Sequence, residues 1–326
     1  MYQIDLPAPP TTPVPLNAGN GRPVRGRPVR HADLAELRQL LPGWLVLDAE
    51  LRAALPVLWT RLLGQPGFSA DVIEDLSRPP GQRLVGLGMT VALSADWQAR
   101  LREAPPAHAG AVWYRDFMDG RTAPMDDRTL AQANARGEVG MLVLHYAQDA
   151  IDPARPEVQQ VLLAAMQLFR HAHGGLHLRD VWQEALADGG DYLLGMGFRR
   201  RTQRGPGQPD LFGLARDEAM RMFPGPPARD VFQFVPPVMG FTAAERRVLR
   251  LAVCDLTDDD IADEVGVTSH TLKKVWRSVF ERATDALPDM FGPPSTDAAA
   301  GTRGPEKRRH LLQYLRQHPE ELRPWP

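Results

Sequence analysis

The sequence has almost no cysteine: among its 326 residues the single one is Cys254. An internal disulfide is therefore excluded, and so is a thiolate zinc site, which needs several Cys or His residues at close spacing. A chain that uses cysteine so sparingly is typical of a reducing compartment, and we expect the protein to be cytoplasmic.

The sequence also lacks long apolar runs and an excess of one charge. No stretch of roughly 18 apolar residues occurs, so no membrane span is expected, and the N-terminus has no apolar core of signal-peptide type. The net charge is −2, so any contact with nucleic acid must come from a local basic patch. A glycine-rich phosphate loop ending in Gly-Lys is missing as well, which argues against a nucleotide-dependent regulator. The composition points to no metal and no cofactor.

The first 200 residues begin with a leader and continue as a mixed α/β pattern. Residues 1–30 are rich in Pro, Gly and Arg, which predicts a disordered leader. Residues 31–202 are predicted to form an α/β domain with a sensory role. Helices are predicted at 32–41, 49–63, 96–103, 127–136, 157–172 and 178–186, and strands in the hairpin around the Pro-Pro-Gly turn, at 141–147 and from Gly197. Gly86 and Gly88 indicate a bulge or a close backbone approach in the second strand of that hairpin.

The remaining chain divides at proline-rich breaks. Residues 203–240 are predicted to be a Pro/Gly-rich linker with one short helix, 215–222. Residues 241–287 are predicted to be an all-α domain. Residues 288–326 are predicted to be a second linker followed by a C-terminal helix, 305–317. The leucine face of that helix could dock on the domain or pair with a second copy of the chain.

The segment 241–282 contains the start and stop signals of three short helices. Thr242 and Glu245 form a capping box, and Thr268 is placed to cap the third helix. Gly266 ends the second helix, where a left-handed conformation needs no side chain. An apolar stripe in the third helix, Leu272, Val275, Val279 and Phe280, leaves its basic residues on the opposite face. Trp276 follows that stripe and is placed to contact either the first helix or a DNA backbone.

This arrangement of an acidic second helix and a basic third helix is typical of DNA recognition. A recognition helix offers residues near its N-terminus to base edges, and Lys and Arg donate to guanine. The predicted DNA-binding residues are Thr268, Ser269, Thr271, Lys273, Lys274, Arg277 and Arg282. Arg282 lies further along the helix and is better placed for a phosphate.

At these residues the chain resembles the LuxR-type helix-turn-helix family. The resemblance covers the opening Thr-Glu pair, VLRLA, IADEVGVTSHTLKK and VWRSVFER. Asp255 stands where the family usually has glycine, and Val275 where a histidine is common. The resemblance implies a transcriptional regulator that binds double-stranded DNA as a homodimer, with a possible small-molecule effector bound to its N-terminal domain. A helical bundle that binds protein, and the related sigma-factor C-terminal region, are the alternatives for this segment.

The order of predicted elements in residues 31–202 resembles the GNAT acetyltransferase fold. Such folds hold acyl-CoA where a glycine-rich loop after the central strand donates backbone N–H groups to the pyrophosphate. The corresponding loop here, residues 147–157, has no glycine and carries acidic residues. We therefore predict no enzymatic activity and name no catalytic residue, and a GNAT-like acyltransferase or acyl-CoA-binding protein is the first alternative to the regulator. A protein-interaction scaffold is the second.

Other side chains capable of chemistry have simpler interpretations. His171, His173 and His177 are interpreted as a cluster near a helix end rather than as metal ligands. Glu74 and Asp75 are interpreted as a solvated strand end rather than as a general-base pair. His145 and Tyr146 are predicted to be core residues with satisfied hydrogen bonds, and Cys254 a packing or surface residue.

Overall fold

The computed structural model describes residues 24–150, 152, 154–291 and 304–326. The predicted leader up to residue 23 and the part of the predicted second linker at 292–303 lie outside the described residues. The fold is mixed α/β, with one sheet of seven strands in the order β1-β2-β3-β4-β5-β7-β6. The strands are β1 (Val24–Pro28), β2 (Phe68–Asp75), β3 (Leu84–Leu93), β4 (Val139–Gln148), β5 (Leu178–Ala185), β6 (Arg199–Arg200) and β7 (Asp210–Ala215).

Helices cover both faces of the sheet and continue beyond it. They are α1 (Leu34–Leu37), α2 (Ala49–Leu62), α3 (Ala95–Glu103), α4 (Ala109–Met118), α5 (Asp127–Arg136), α6 (Pro156–His173), α7 (Ala187–Gly195), α8 (Arg216–Met220), α9 (Pro227–Asp230), α10 (Ala243–Ala252), α11 (Asp258–Val265), α12 (Ser269–Ala286) and α13 (Gly304–Gln317). Short 3₁₀ helices occupy His31–Asp33, Arg38–Leu40, Pro288–Phe291 and Pro319–Leu322. Among the described residues, no helix is both long enough and apolar enough to cross a bilayer.

The two faces of the sheet have separate apolar cores. Helices α2 to α4 cover one face, where Trp59, Trp113 and Tyr114 are fully buried. Helices α5 to α9 cover the other face, on which Phe212 and Phe232 are buried. Side chains alternate between the faces along each strand, so β2 to β5 and β7 contribute to the cores on both faces.

The hairpin predicted around the Pro-Pro-Gly turn is confirmed as β2 and β3. Its register shifts between Ile73, which pairs with Gly86, and Glu74, which pairs with Leu84. This bulge adjoins Gly86, as the sequence predicts. A Cβ at Gly86 would lie 2.8 Å from a methyl carbon of Ile73, so the close approach requires glycine there.

Three strands fall where the sequence predicts other structure. The predicted helix 178–186 is wrong, because Leu178–Ala185 is β5. The predicted linker 203–240 contains β7, so the sheet continues past the predicted domain end at residue 202. The predicted leader contains β1, which pairs with β2. In each case pairing with a strand distant in sequence overrides a local signal from proline, glycine or charged residues.

The C-terminal helices begin and end where the sequence predicts. Thr242 accepts from the backbone N–H of Glu245 and closes the capping box, and Thr268 caps α12. Gly266 ends α11 with a φ of 74°, and Asp255 adopts a φ of 61°. Caps and turns locate helix ends, but they carry no information about what the helices bind. The geometry therefore does not establish this unit as a helix-turn-helix domain.

The C-terminal helices pack on each other and on the N-terminal unit. Leu311, Leu312 and Leu315 of α13 are buried in the same core as α10 to α12, so the leucine face docks within the chain. Homodimer formation stays a prediction. Arg246 is paired with Asp127 of α5, and Arg323 donates to the carbonyl of Gly174 at 2.8 Å.

Candidate functional site: a gap between two parallel strands

The central feature of the sheet is the place where β4 and β5 separate. The two strands are parallel and pair from Val139 to Val143, the last pair being Val143 with Gln183. Strand β4 then continues to Gln148 and β5 to Ala185 without pairing to each other. The other neighbouring pairs of described strands are antiparallel.

A bulge accounts for the separation. Against β3, the register of β4 shifts so that His145 pairs with Met89 and Val143 pairs with Thr90, which leaves Leu144 as the extra residue. A bulge bends its strand and increases the local twist, and here it turns the end of β4 away from β5. Helix α4 lies directly against the bulge: a Cβ on Gly110 would be 2.0 Å from the carbonyl oxygen of Leu144.

A cavity of about 950 Å³ fills the gap and extends between the sheet and α6. Its walls come from the loop 39–44, the ends of β4 and β5, one side of α6 and the start of α7. Apolar side chains predominate, among them Leu40, Leu41, Trp44, Ile73, Val143, Leu162, Met166, Leu168, Phe169 and Leu193. Carboxylates also line it: Asp71, Asp149, Asp152, Glu184, Asp188 and Asp191.

Two tyrosines line the cavity from opposite sides of the gap. Tyr146 lies on β4 and donates to Oε1 of Gln148 at 2.5 Å. Burial raises the pKa of its phenol above the usual range, and the neighbouring phenol of Tyr192 raises it further. Tyr192 lies on α7, is 41% exposed, and has its own pKa raised by burial. Both hydroxyls therefore stay protonated at neutral pH and can donate a proton.

Glu184 fixes the β5 wall of the gap. Its carboxylate is 2% exposed and accepts from Nη1 of Arg204 at 2.9 Å and from the backbone N–H of Gly110 at 3.3 Å. Arg204 also donates to the carbonyl of Pro106 at 2.6 Å. The buried carboxylate thus joins β5 to the start of α4 and is committed to structure.

His145 is buried as predicted, but its hydrogen bonds are not satisfied. The ring is 0% exposed, and neither nitrogen has a partner among the described residues. Burial lowers its pKa from 6.5 to about 3, so the ring is neutral. Its nearest aromatic neighbour is Tyr114, with the ring centroids 6.0 Å apart.

The loop after β4 does not fit the pyrophosphate of coenzyme A. Asp149 and Asp152 present carboxylates to the cavity, and Asp149 is paired with Arg78 at 2.6 Å. At the start of α6, Arg155 is paired with Glu157. Helix N-termini bind anions through backbone N–H groups, and in the described part of this loop two carboxylates would oppose a phosphate placed there.

The residues predicted to contact DNA lie along α12. Lys273, Lys274 and Arg277 are exposed, and Arg277 is paired with Glu281 at 3.0 Å. Thr268 and Thr271 hydrogen-bond each other at 3.1 Å as part of the helix cap, next to the exposed Ser269.

Two residues of α12 make contacts within the chain. Arg282, assigned to a phosphate, donates to Glu245 and to the carbonyl of Gly240, so its guanidinium joins α12 to the start of α10. Trp276 is buried in the same core against which Val275 packs, and its indole N–H donates to Asp258 at 3.2 Å.

The remaining chemically capable residues are structural. Among the described residues, no group of three or more His, Cys, Asp or Glu is arranged to hold a metal. Burial lowers the pKa of His171 to about 3 and that of His173 to about 4. Burial raises the pKa of Cys254 to about 12. Glu74, interpreted from the sequence as a solvated strand end, is instead buried and paired with Arg27.

Comparisons with known proteins address the fold. No family model matches the chain, and no curated protein matches it in sequence. Among solved structures, it is similar to the N-acyl amino acid synthase FeeM from uncultured soil microbes, with 11% identity over 60% of this chain and 93% of that one, at a TM-score of 0.35. It is similar to a mutant of the spermidine N-acetyltransferase SpeG from Vibrio cholerae, with 9% identity over 59% and 93%, at 0.34. A third is the aminoglycoside acetyltransferase AAC(6')-Ib, with 12% identity over 61% and 98%, at 0.32.

Each of these similarities covers about 60% of this chain. The GNAT resemblance inferred from the sequence agrees with this similarity.

The interpretation of the protein as a LuxR-type, DNA-binding transcriptional regulator is contradicted, and so is the expectation that it is not an enzyme. The similar structures named above are a synthase and two acetyltransferases. The physical reason for the error is that the C-terminal signals are local and easy to read. The gap that dominates the N-terminal unit is formed by strands far apart in sequence.

Sequence reasoning missed the residues that build the gap. Tyr192 was not singled out, and β5 was assigned to a helix. The start of α7, DGGDYLLGMGF, carries the one local signal: glycines and an aromatic residue directly after a segment that could form a strand.

Proposed function

We propose that residues 24–215 form an acyltransferase that binds an acyl thioester in the gap between β4 and β5 and transfers the acyl group to an amine. The observation that carries this proposal is the end of pairing at Val143–Gln183, which leaves the edge of β4 beyond Val143 open towards a cavity of about 950 Å³. Backbone N–H and C=O groups need partners, and an extended ligand with amides supplies them as an added strand would.

A pantetheine arm has this chemistry, because it is extended and carries two amides and a terminal thioester. Placed along β4, it brings the thioester to the point where the strands part. The loop after β4 does not favour binding of the nucleotide part of coenzyme A, because Asp149 and Asp152 of this loop line the cavity. The proposal therefore specifies a thioester of a pantetheine arm and makes no use of a phosphate site.

The acceptor proposed is a primary amine. Asp152, Asp188 and Asp191 line the cavity, and carboxylates near one another raise the local concentration of a cationic substrate. The loop 39–44 lines the same cavity as the ends of β4 and β5. An acceptor bound beside this loop would therefore lie next to the thioester.

Tyr192 is proposed as the general acid. The cationic amine first releases one proton to solvent. The neutral amine then attacks the carbonyl carbon, the new C–N bond forms, the C–S bond breaks, and the leaving sulfur takes the phenolic proton of Tyr192. The second proton lost by the amine restores the phenol through solvent, so the products are an amide and a free thiol. A phenol with a raised pKa is protonated before the reaction, as this role requires.

The test uses the full chain with acetyl- and octanoyl-pantetheine and with the corresponding coenzyme A thioesters. Primary amines of different length are the acceptors, and amide formation is followed by mass spectrometry. We expect amide to form from the pantetheine thioesters, and we expect the coenzyme A thioesters to react no faster. Binding of the unreactive thioether S-octyl-pantetheine, measured by calorimetry, does not depend on the choice of acceptor. Failure to bind this thioether would refute the proposal.

A further inference from the structure

The cavity continues well past the thioester position, into the space between the sheet and α6. The deep part of the cavity, called the α6 chamber below, is bounded by Ile73, Gly88 and Thr90 on the sheet and by α6 above. The α6 residues that line it are Leu162, Ala165, Met166, Leu168 and Phe169. A two-carbon acetyl group does not require this space.

The floor of the α6 chamber is open because of one glycine. Gly88 on β3 pairs with Tyr146 on β4 and with Asp71 on β2, so these three residues form a row across the sheet. A Cβ on Gly88 would make one ordinary contact, 3.6 Å to Tyr146, and would meet no other atom within 4 Å. Any longer side chain at this position would project into the chamber.

The roof of the α6 chamber is apolar but incompletely packed. Leu162, Met166, Leu168 and Phe169 are only partly buried, although this side of α6 faces the sheet. Close packing is the rule in protein interiors, and an apolar space that the chain leaves unfilled suits an apolar ligand.

Two buried polar residues, Asp71 and His173, also line the cavity. Asp71 is 5% exposed and accepts from the hydroxyl of Ser69 at 2.8 Å. His173 is 1% exposed, with Nδ1 2.8 Å from the carbonyl of Phe169. An apolar chain gains nothing by extending beyond these two residues, so they set a limit to its length.

We infer that the α6 chamber binds the alkyl chain of the acyl donor, and that the enzyme transfers medium-length straight-chain acyl groups. This inference rests on the proposed function and adds the class of acyl group. The row Tyr146–Gly88–Asp71 spans two strand spacings of about 4.8 Å, or roughly 10 Å. With carbon–carbon bonds of about 1.5 Å in a zigzag chain, roughly eight carbons fill that distance.

The binding test uses straight-chain fatty acids from butanoic to dodecanoic acid as probes, measured by calorimetry on the full chain. Each further methylene should tighten binding by roughly fourfold until about eight carbons, with no gain beyond that length. Gly88→Leu fills the floor of the chamber and should weaken the binding of octanoic acid at least tenfold. Ala165→Phe fills the roof and should do the same, so one variant remains if the other fails to fold.

Leu163→Phe is the matched control. Leu163 lies on the same helix, is 56% exposed and does not line the chamber, so this variant should bind octanoic acid like the wild type. Undiminished octanoic acid binding by a folded Gly88→Leu or Ala165→Phe protein would overturn the inference, and so would affinity that rises with chain length without limit.

Fatty acid binding separates this inference from the proposed function. If octanoic acid binds as described and no thioester or thioether does, the chamber stands and the acyltransferase proposal fails. If the enzyme transfers acetyl groups from acetyl-pantetheine as fast as octanoyl groups from octanoyl-pantetheine, and Gly88→Leu slows neither reaction, the acyltransferase proposal stands and the chamber inference fails.

Discussion

Nη2 of Arg27 on β1 donates to Oε1 of Glu74 on β2 at 2.6 Å, with the two side chains 3% and 8% exposed. Arg27 also bridges to Asp33 at 2.6 Å, so two carboxylates share one buried guanidinium. Burial alone would raise the pKa of Glu74, but hydrogen bonds from Arg27 and Arg25 hold it below its usual range. This network attaches the first described strand to the sheet.

Replacing Arg27 should be strongly destabilising. Arg27→Met keeps much of the side-chain volume but leaves Asp33 and Glu74 buried together without their shared cation. We expect a loss of about 3–5 kcal/mol in the free energy of unfolding, measured in urea. Arg136→Met is the control, since Arg136 and Glu138 form an exposed pair at 58% and 48%, and exposed pairs contribute about 0–1 kcal/mol. Equal losses in the two variants would contradict this account.

His145 should make the stability of the protein depend on pH. Its pKa falls from 6.5 to about 3 in the folded protein because burial disfavours the charged ring. The unfolded chain therefore binds more protons between these values, and stability is lost as the pH falls below 6.5.

His145→Asn removes that titration. Between about pH 7.5 and about pH 5, the wild type should lose roughly 2 kcal/mol more than the variant. Urea unfolding of both proteins at several pH values measures the difference. Parallel stability profiles would show that the ring is not held neutral inside the sheet.

The C-terminal 3₁₀ helix should depend on one glycine for its docking. Gly175 and Gly207 have nearly the same φ, 75° and 76°. A Cβ on Gly175 would lie 2.3 Å from the backbone N of Glu320, whereas one on Gly207 meets nothing within 4 Å.

Comparing the two alanine variants isolates that contact. Gly207→Ala carries only the backbone strain of a positive φ, about 1–2 kcal/mol. Gly175→Ala carries the same strain and a steric clash, so it should cost about a further 1–3 kcal/mol in thermal or urea unfolding. The docking geometry would be wrong if Gly207→Ala proved as costly as Gly175→Ala.

Tyr192→Phe tests the general acid within the proposed acyl transfer. The variant keeps the ring and removes the phenolic proton, so kcat should fall about 100-fold while KM changes little. Tyr314→Phe, on α13 and away from the cavity, is the control and should leave both constants unchanged. A Tyr192→Phe enzyme with full kcat would exclude Tyr192 from proton transfer.

The elements with strong local signals were predictable from the sequence. Helix α5 occupies the predicted residues 127–136, and α2 ends within one residue of its prediction. The caps at Thr242 and Thr268 form as expected, because a side chain three residues from its backbone partner needs no tertiary contact.

The candidate site was not predictable in the same way. Strand β5 contains Asp180, Gln183 and Glu184, which suit a helix as well as a strand, and pairing with β4 and β7 decides the outcome. The bulge at Leu144 depends on the register between β3 and β4, which the sequence of neither strand reveals.

The sequence by itself determined where most helices begin and end, which residues are apolar enough to be buried, and that no disulfide forms within the chain. These properties depend on neighbours within a few positions and on composition. Only the tertiary structure decided that β5 is a strand, that β4 bends away from it, and that Gly88 leaves a chamber open beneath α6. Those features arise from contacts between segments tens of residues apart, whose geometry is set when the sheet closes.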